Sequence, residues 1–211
     1  GPPVAVVTGA SSGIGRELTL QLLARGYTVC GIARRAAQLQ PPSNAPGRLF
    51  AIPADLADVD GVPALCERIL QEVGTPSLLI CNAGVSQRAS AVSTEAPTLH
   101  RLLAVNLESP MLMVSHLLRG APDPQVPRIV LVGSLASLVP APLRTSYAAA
   151  KHGLRGFARS LRAEGHAVTE VYPGFVRTPI GQGAVIGTGD SYGQDDPAQQ
   201  AGRDPAAVAA Q

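Results

Sequence analysis

The stretch VAVVTGASSGIG, residues 4–15, decides the fold. It begins with an apolar run of strand length, and a helical pattern of apolar residues follows from residue 14 to residue 25, where Gly26 ends it. The order is therefore strand, glycine-rich turn, helix. Glycines let the backbone come close to a pyrophosphate, and a helix N-terminus offers unpaired N–H groups and the positive end of a dipole. We predict a nucleotide site here, and an ordinary glycine-rich turn is the alternative.

Apolar runs and helical patterns alternate along the rest of the chain. The predicted strands are residues 4–7, 27–33, 49–53, 78–81, 129–132 and 167–172, and the predicted helices are residues 14–25, 62–73, 98–118 and 147–164. The strands are apolar runs, as expected when helices cover both faces of a sheet. This pattern predicts an α/β fold with a doubly wound parallel sheet in three layers, in a single domain over residues 1–211. Ligands of such sheets bind at the carboxyl ends of the strands.

Composition argues against several classes of function. The chain has 211 residues, a formal charge of +2 and no basic patch interleaved with aromatic residues, so no nucleic-acid partner is expected. No apolar run reaches membrane-spanning length and the first residues lack a signal-peptide pattern, so no membrane partner is expected. Cys30, Cys66 and Cys81 have no metal-ligand spacing, which predicts no metal site and a reducing, cytoplasmic location.

The C-terminal part differs in composition from the rest. From Gly181 to Gly202 the residues Gly, Gln, Ala and Asp dominate, and apolar periodicity nearly vanishes. We predict a mobile substrate loop over residues 181–202. Asp204 and Pro205 have the pattern of an N-cap and a first helical residue, so a short helix is expected over residues 206–211.

Tyr147 and Lys151 have the spacing that brings two residues to one face of a helix, and Lys151 is the only lysine in the chain. Neither side chain is a free acid or base at neutral pH, because both titrate at about pH 10 in peptides. A nearby ammonium favours the phenolate, so the pair could bring the tyrosine pKa into the range of acid–base catalysis. Taken alone, the spacing also fits a surface tyrosine beside a solvated lysine.

Arg34 and Arg35 follow the second predicted strand, where a site selective for NAD would place a carboxylate. Planar guanidinium groups suit a 2′-phosphate instead, so we predict a preference for NADP(H) over NAD(H). The alternative is a solvated arginine pair at a strand end. Asp55, after the third predicted strand, could accept a hydrogen bond from the adenine amino group or serve as an N-cap.

Taken together, the motifs resemble those of the short-chain dehydrogenase/reductase family. They are Thr8-Gly-x-x-x-Gly-x-Gly15, Asn82-Ala83-Gly84, Asn106, Ser134, Tyr147-x-x-x-Lys151 and Pro173-Gly174-x-Val176-x-Thr178, in the family's order. The resemblance covers residues 4–178 and implies a Rossmann fold with a nicotinamide dinucleotide. The chain departs from the family in a short connection between residues 35 and 49. It also has a glycine-rich segment after Thr178, where the family has a substrate-covering segment, a helix and a strand.

The resemblance implies a role for each residue of the chemical end. Tyr147 would be the general acid that protonates the substrate carbonyl, and Lys151 would hold the nicotinamide ribose and lower the pKa of Tyr147. Ser134 would hydrogen-bond the same carbonyl, with Ser137 as the competing serine. Asn106 would hold a water that links Lys151 to solvent. Taken singly, Asn106 could be a polar residue at a helix kink, and Ser134 a strand-end hydroxyl.

The resemblance also implies a set of cofactor-binding residues. Pro173, Val176 and Thr178 would seat the nicotinamide carboxamide, and the Asn82 motif would line the adenosine side. The full predicted set is Gly9, Ser11, Ser12, Gly13, Ile14, Gly15, Arg34, Arg35, Asp55, Leu56, Asn82, Ala83, Gly84, Tyr147, Lys151, Pro173, Gly174, Val176 and Thr178.

These assignments predict an NADP(H)-dependent oxidoreductase that reduces a ketone or aldehyde, or oxidises the alcohol in reverse. A nucleotide-binding sensor or scaffold with little turnover is the alternative, and turnover of a ketone with NADPH would separate the two. An isomerase or dehydratase with bound NAD is disfavoured by Arg34. The expected substrate is small and apolar, in a pocket that includes Leu138, Val139, Leu143 and Ile180, with Arg88 and Arg144 as charged elements.

Assembly is expected to follow the family. Its members commonly pair through the long helix and the helix that carries the tyrosine, so a homodimer or homotetramer is predicted. The candidate interface residues on these two helices are Leu102, Leu103, Met113, Leu117, Leu154, Phe157 and Leu161.

Overall fold

One sheet of six parallel strands organises the molecule. The computed structural model describes residues 1–122, 127–194 and 197–211. The strands are β1 (Val4–Thr8), β2 (Thr28–Ala33), β3 (Arg48–Pro53), β4 (Leu78–Cys81), β5 (Arg128–Val132) and β6 (Val168–Val171). Their order is β3-β2-β1-β4-β5-β6, and every neighbouring pair is parallel. The order reverses between β1 and β4, and this is the switch point at which ligands bind in such sheets.

Helices cover both faces of this sheet. They are α1 (Gly13–Ala24), α2 (Val62–Glu72), α3 (Ala96–Leu103), α4 (Ser109–Arg119), α5 (Thr145–Ala163), α6 (Pro197–Gln200) and α7 (Pro205–Ala209). Helix α1 packs on one face, and α2, α4 and α5 pack on the other. The predicted doubly wound sheet in three layers and one domain is confirmed, and the six strands lie where the apolar runs placed them.

The apolar runs of the strands serve two cores at once. Along β1, Val6 packs with side chains from α2, α4 and α5, whereas Ala5 and Val7 pack with Leu22 and Leu23 of α1. Successive side chains of a strand point to opposite faces, so a strand between two layers of helices needs apolar residues at every position. This explains why the sequence shows runs instead of alternation.

The long helix of the sequence pattern is α3 and α4 joined by one wider turn. Residues Ala104–Glu108 form a π-helical turn between them, and Asn106 lies inside it. A turn of this kind inserts an extra residue into the helix and is often found at functional sites. Asn106 thus lies at an irregular turn within the helix, and its water-binding role remains a prediction.

The apolar residues proposed for an oligomer interface belong mainly to the core of the chain itself. Leu102, Met113, Leu117, Leu154 and Leu161 are buried, and Leu103 and Phe157 are partly buried. Pairing was predicted because these side chains were expected to be exposed apolar surface. That reason was wrong, because most of them are buried within the chain itself. The homodimer or homotetramer remains a prediction without that support.

The segment over residues 181–202 has anchors that its composition does not reveal. Val185 is buried in a small core with Leu102, Ala136 and Tyr147, and its N–H donates to the Ser86 carbonyl at 2.9 Å. Within residues 197–202 lies α6, while residues 195 and 196 lie outside the described part of the chain. Apolar contacts are thus present although apolar periodicity nearly vanishes in this segment, and its mobility remains a prediction.

The end of the chain returns to the sheet edge that carries the strand ends. The Arg203 carbonyl accepts from the Arg177 N–H at 2.9 Å, and the Arg203 N–H donates to the Phe175 carbonyl at 3.0 Å. Asp204 is the N-cap of α7 and accepts from the Ala206 N–H at 2.8 Å, as predicted. Helix α7 then packs on α1.

The helices and polar side chains of the structure also bear on membrane spans and metal sites. Across residues 1–122, 127–194 and 197–211, no helix has the length and hydropathy that a bilayer crossing needs. In the same described ranges, no three His, Cys, Asp or Glu side chains gather as metal ligands would.

Candidate active site

A cleft of about 890 Å³ opens at the carboxyl ends of the strands. It runs from Arg34 and Arg35, after β2, to Tyr147 and Lys151 on α5. The predicted site residues that line it are Gly9, Ser12, Gly13, Ile14, Arg34, Arg35, Asn82, Ala83, Gly84, Ser134, Tyr147, Lys151, Pro173, Gly174, Val176 and Thr178. The fold thus brings together both predicted ends of the site, from segments far apart in sequence.

The turn after β1 depends on glycine at two positions for different reasons. Gly9 has φ of +68°, a left-handed conformation that side chains with a Cβ rarely adopt. A Cβ on Gly15 would lie 2.3 Å from the Gly9 carbonyl oxygen and 2.4 Å from the Asn82 amide nitrogen. Gly15 does not line the cleft, so its part is to let α1 approach the ends of β1 and β4.

Hydrogen bonds from Thr8 join the ends of β1 and β4. Its hydroxyl oxygen accepts from the N–H groups of Asn82 and Ala83, both at 3.0 Å. The side-chain amide of Asn82 donates back to the Thr8 carbonyl at 3.1 Å. The two motifs that follow neighbouring strands are therefore fixed to each other by three hydrogen bonds.

Four predicted residues besides Gly15 lie away from the cleft. Ser11 and Asn106 do not line it, and neither do Asp55 and Leu56. Asp55 accepts from the Ala57 N–H at 3.0 Å, so its carboxylate closes a local turn. The N-cap alternative was wrong, because α2 begins only at Val62 and Gly61 is its N-cap residue. Leu56 is buried in the core, and a contact of either residue with adenine remains a prediction.

Of the two candidate serines, Ser134 is the one that lines the cleft. Ser137 is fully buried, and its hydroxyl oxygen accepts from the Ser134 N–H at 3.1 Å. Ser134 accepts from the Ala136 N–H at 3.2 Å and hydrogen-bonds the Tyr147 phenol. Ser137 thus supports the turn, while Ser134 faces the tyrosine.

Tyr147 and Lys151 are both buried in the first turns of α5. Burial raises the pKa of Tyr147, while the Ser134 hydrogen bond and the Arg144 charge act in the opposite direction. The Lys151 ammonium lies 5.8 Å from the centre of the tyrosine ring and donates to the Val132 carbonyl at 3.0 Å. The expected lowering of the tyrosine pKa by Lys151 is therefore not seen, because burial dominates and the ammonium points to a carbonyl.

Burial has the opposite effect on the lysine. It lowers the pKa of Lys151 to about 8, and the neighbouring Cys81 opposes this shift. An ammonium loses its hydration when buried, so the neutral amine is favoured. The only lysine of the chain therefore titrates close to physiological pH.

The side chain of Asn106 holds the backbone after β4. Its amide nitrogen donates to the carbonyls of Val85 and Leu102, each at 2.9 Å, and its oxygen accepts from the Val85 N–H at 3.3 Å. That oxygen also lies 3.0 Å from where a Cβ of Gly84 would be, and the Lys151 ammonium lies 3.6 Å from the same point. Asn106 and Lys151 thus both lie beside the Gly84 backbone.

Gln87 is a positioning residue that the sequence interpretation missed. Its side chain is fully buried, and its carbonyl oxygen accepts from the N–H groups of Ser146 and Tyr147 at 2.9 and 3.1 Å. Its amide nitrogen donates to the Thr94 hydroxyl at 2.9 Å. Gln87 therefore caps the helix that carries the tyrosine from a different loop. A glutamine between two polar residues gives no local signal of such a contact.

Replacing Gln87 should destabilise the protein measurably. In Gln87→Met the N–H groups of Ser146 and Tyr147 lose a buried acceptor, and an unsatisfied buried donor costs about 1–3 kcal/mol. Gln87→Glu keeps an acceptor at the helix N-terminus and should lose less. Gln40→Met, the same change at an exposed glutamine, should stay within about 0.5 kcal/mol of the parent. Urea unfolding measures all three, and equal stability of Gln87→Met and the parent would contradict the capping role.

The titration of Lys151 should appear in the pH dependence of stability. Its pKa is lower in the folded chain than in the unfolded one, so the unfolded chain binds more protons between pH 8 and 10 and stability rises with pH in that window. Relative to Lys151→Met, the parent should gain about 1 kcal/mol of unfolding free energy from pH 7 to pH 9. Chemical unfolding at both pH values tests this. A constant difference between the two proteins would mean that the lysine keeps its ordinary pKa.

Comparisons with known proteins agree on one family. The family model of short chain dehydrogenases matches residues 3–186. Dehydrogenase/reductase SDR family member 7B of Bos taurus is 32% identical over 220 residues, covering 98% of this chain and 68% of the relative. The chain thus spans about two thirds of the length of that relative.

Solved structures give the same result. A short-chain dehydrogenase from Streptomyces avermitilis has a TM-score of 0.81 at 28% identity, covering 100% of this chain and 82% of that one. A metagenomic short-chain oxidoreductase in complex with NADP has a TM-score of 0.74 at 30% identity, covering 85% of this chain and 86% of that one. With a match over residues 3–186, and with the strand order and cleft described above, this chain belongs to the short-chain dehydrogenase/reductase family and is an oxidoreductase of that family.

Proposed function

We propose that the protein is an NADP(H)-dependent carbonyl reductase that also oxidises the corresponding alcohol, with Tyr147 as general acid and base. The observation that carries this proposal is the meeting of Ser134, Tyr147 and Lys151 on the wall of one cleft. The cleft extends to Arg34 and Arg35, where a 2′-phosphate would bind. A site for a nucleotide and a site for a proton donor are therefore continuous.

The residues of the cleft fit a nicotinamide dinucleotide. The tight turn at Gly9 and the open N-terminus of α1 present backbone N–H groups to a pyrophosphate. Both arginines after β2 are exposed and line the cleft. A similar chain solved with NADP supports the choice of dinucleotide. When bound, the reduced nicotinamide supplies a hydride to the substrate carbonyl carbon.

The chain's own residues supply the proton and its placement. Because burial raises the pKa of Tyr147, the phenol keeps its proton at neutral pH and can give it to the carbonyl oxygen during reduction. The Ser134 hydroxyl, which hydrogen-bonds the phenol, can bond the same carbonyl oxygen. Lys151 would hold the ribose hydroxyls, and Asn106 the water that connects it to solvent. In the oxidation direction Tyr147 takes the proton back.

A sensor or scaffold that binds NADP(H) with little turnover is the second candidate. It would need the cofactor end of the cleft but not the buried Tyr147 phenol beside Ser134. Burying a polar group costs free energy, and a protein that only binds the dinucleotide gains nothing from a proton donor. The placement of Tyr147 therefore favours the enzyme.

Three further properties complete the proposal. Residues 181–202 would close over the substrate and exclude water, since Val185 already packs against Tyr147. Cytoplasmic location is proposed because all three cysteines are buried and free. Pairing into a homodimer or homotetramer is proposed from family membership alone.

Removing the Tyr147 hydroxyl tests the proton donor. Tyr147→Phe should lower turnover by about 10² to 10⁴, while NADPH binding should be nearly unchanged. The assay is a panel of ketones with NADPH, followed by loss of reduced-nicotinamide absorbance. Tyr27→Phe, at a tyrosine that does not line the cleft, is the matched control. Near-parental turnover of Tyr147→Phe would exclude this residue as the acid, and no turnover by the parent on any carbonyl would favour the sensor.

Removing the Arg34 guanidinium tests cofactor choice. If it binds a 2′-phosphate, Arg34→Ala should weaken NADPH binding by about 1.5–3 kcal/mol, as for a charged hydrogen bond, and leave NADH binding nearly unchanged. Arg25→Ala, at an exposed arginine just after α1, controls for the loss of one charge. Titration calorimetry gives the affinity of each of the three proteins for NADPH and for NADH. Equal affinity of the parent for NADPH and NADH would refute the preference.

A further inference from the structure

One loop joins the segment after residue 181 to the helix that carries the tyrosine. It comprises residues 86–95, between β4 and α3. On one side this loop bonds residues 184–192, and on the other side it bonds the start of α5. A contact made at residues 184–192 can therefore reach Tyr147 through the loop.

Residues 184–192 fold back on themselves as a small hairpin, the 184–192 hairpin. Val185 and Ser191 pair in an antiparallel bridge, and the Tyr192 N–H donates to the Ala184 carbonyl at 2.7 Å. The glycine-rich composition of the segment gives no sign of this pairing. The hairpin is thus an ordered element within a stretch that has no regular strand.

Backbone hydrogen bonds hold the first strand of the hairpin on the loop. The Val185 N–H donates to the Ser86 carbonyl, and the Arg88 N–H donates to the Val185 carbonyl, both at 2.9 Å. Gln87 lies between these two bonds and pairs with Val185 in an isolated parallel bridge. The backbone of Gln87 is therefore fixed from the hairpin side.

Gly187 lets the tip of the hairpin approach the loop closely. Its carbonyl accepts from the Glu95 N–H at 3.0 Å and from the Thr98 hydroxyl at 2.9 Å. A Cβ at this position would lie 1.9 Å from the Ser93 carbonyl oxygen, which no real contact allows. The φ of Gly187 is not positive, so glycine is needed here for space and not for backbone conformation.

On its other side the loop imposes the backbone at the start of α5. The Gln87 side chain accepts from the N–H groups of Ser146 and Tyr147. The Ala89 N–H donates to the Leu143 carbonyl at 2.9 Å, and Leu143 has φ of +61°, the one positive value for a residue other than glycine in the described chain. Strain of this kind persists only where the surroundings enforce it, and it often marks a site of function.

Val185 also shares a core with the tyrosine. Its side chain is buried in one small cluster with Leu102, Ala136 and Tyr147, and it lines the cleft as well. The hairpin therefore acts on the tyrosine twice, through the Gln87 backbone and through this apolar side chain.

We propose that the 184–192 hairpin is a positioning element of the active site, which holds Tyr147 in place through Gln87 and Val185. This inference rests on the proposed carbonyl reduction, in which Tyr147 is the proton donor. A displacement of about 1 Å at the reacting groups can cost about a hundredfold in rate. Because the hairpin acts on the place of the phenol, it should control turnover and leave dinucleotide binding unchanged.

Unseating the hairpin tests this role. In Gly187→Ala the new Cβ meets the Ser93 carbonyl, so the hairpin must move off the loop. On a panel of ketones kcat should fall about tenfold to a hundredfold, while NADPH affinity from titration calorimetry should stay within about twofold. Gly156→Ala, at an exposed glycine of α5 with open space around it, is the matched control and should leave both unchanged.

The phenol gives a second readout that does not depend on turnover. Tyrosine labelled with ¹³C at Cζ is titrated by NMR, and the signal missing from Tyr147→Phe identifies Tyr147. Burial raises the pKa of this phenol, so it should ionise at a lower pH in Gly187→Ala than in the parent. Ser134, Arg144 and Lys151 also face the phenol, and none of them belongs to the hairpin.

The outcomes separate positioning from a purely structural role. A folded Gly187→Ala with parental kcat and parental phenol titration would overturn the proposal. If Gly187→Ala does not fold, Val185→Ala repeats both measurements, and Val92→Ala, at a valine of the same loop that is 98% exposed, is its control. No turnover by the parent on any ketone would count against the proposed function, and the phenol titration would still test the inference.

Discussion

The close approach of α1 to the ends of β1 and β4 is the constraint on which the site depends. It requires the absence of a Cβ at Gly15, whose Cα faces the Gly9 carbonyl and the Asn82 amide. The Thr8 hydroxyl then binds two N–H groups of the next strand's motif. Two strand ends and one helix N-terminus are therefore fixed close together, and the cleft proposed to bind a dinucleotide opens beside them.

A second constraint is the burial of Tyr147 and Lys151 on α5. Burial shifts the two pKa values in opposite directions, up for the phenol and down for the ammonium. The buried Lys151 ammonium donates to the Val132 carbonyl, and Gln87 satisfies the N–H groups of Ser146 and Tyr147 in the first turn of the helix. The helix is thus both a core element, through Leu154 and Leu161, and the carrier of the proposed chemistry.

The proposed substrate side of the cleft is built differently from the proposed cofactor side. It consists of loops that pair with each other through isolated bridges, between residues 87 and 185 and between residues 89 and 144. Val185 fills a small core against Tyr147, so the segment after residue 181 is tied to the proposed acid. Loops held by a few bonds on a rigid sheet can vary in specificity while the proton donor stays in place.

The sequence by itself determined the sheet, the glycine-rich turn after β1, and the placement of Tyr147 and Lys151 on one helix. Apolar runs and helical periodicity are local signals, and the glycine turn lies between two such elements, so nothing distant was needed to interpret them. Only the tertiary structure decided the pKa shifts and the long-range contacts of the site. The direction of the tyrosine pKa, the capping by Gln87 and the burial of Val185 and Leu117 depend on residues far apart in sequence. Burial and hydrogen bonding across such distances follow from packing, which a local pattern does not contain.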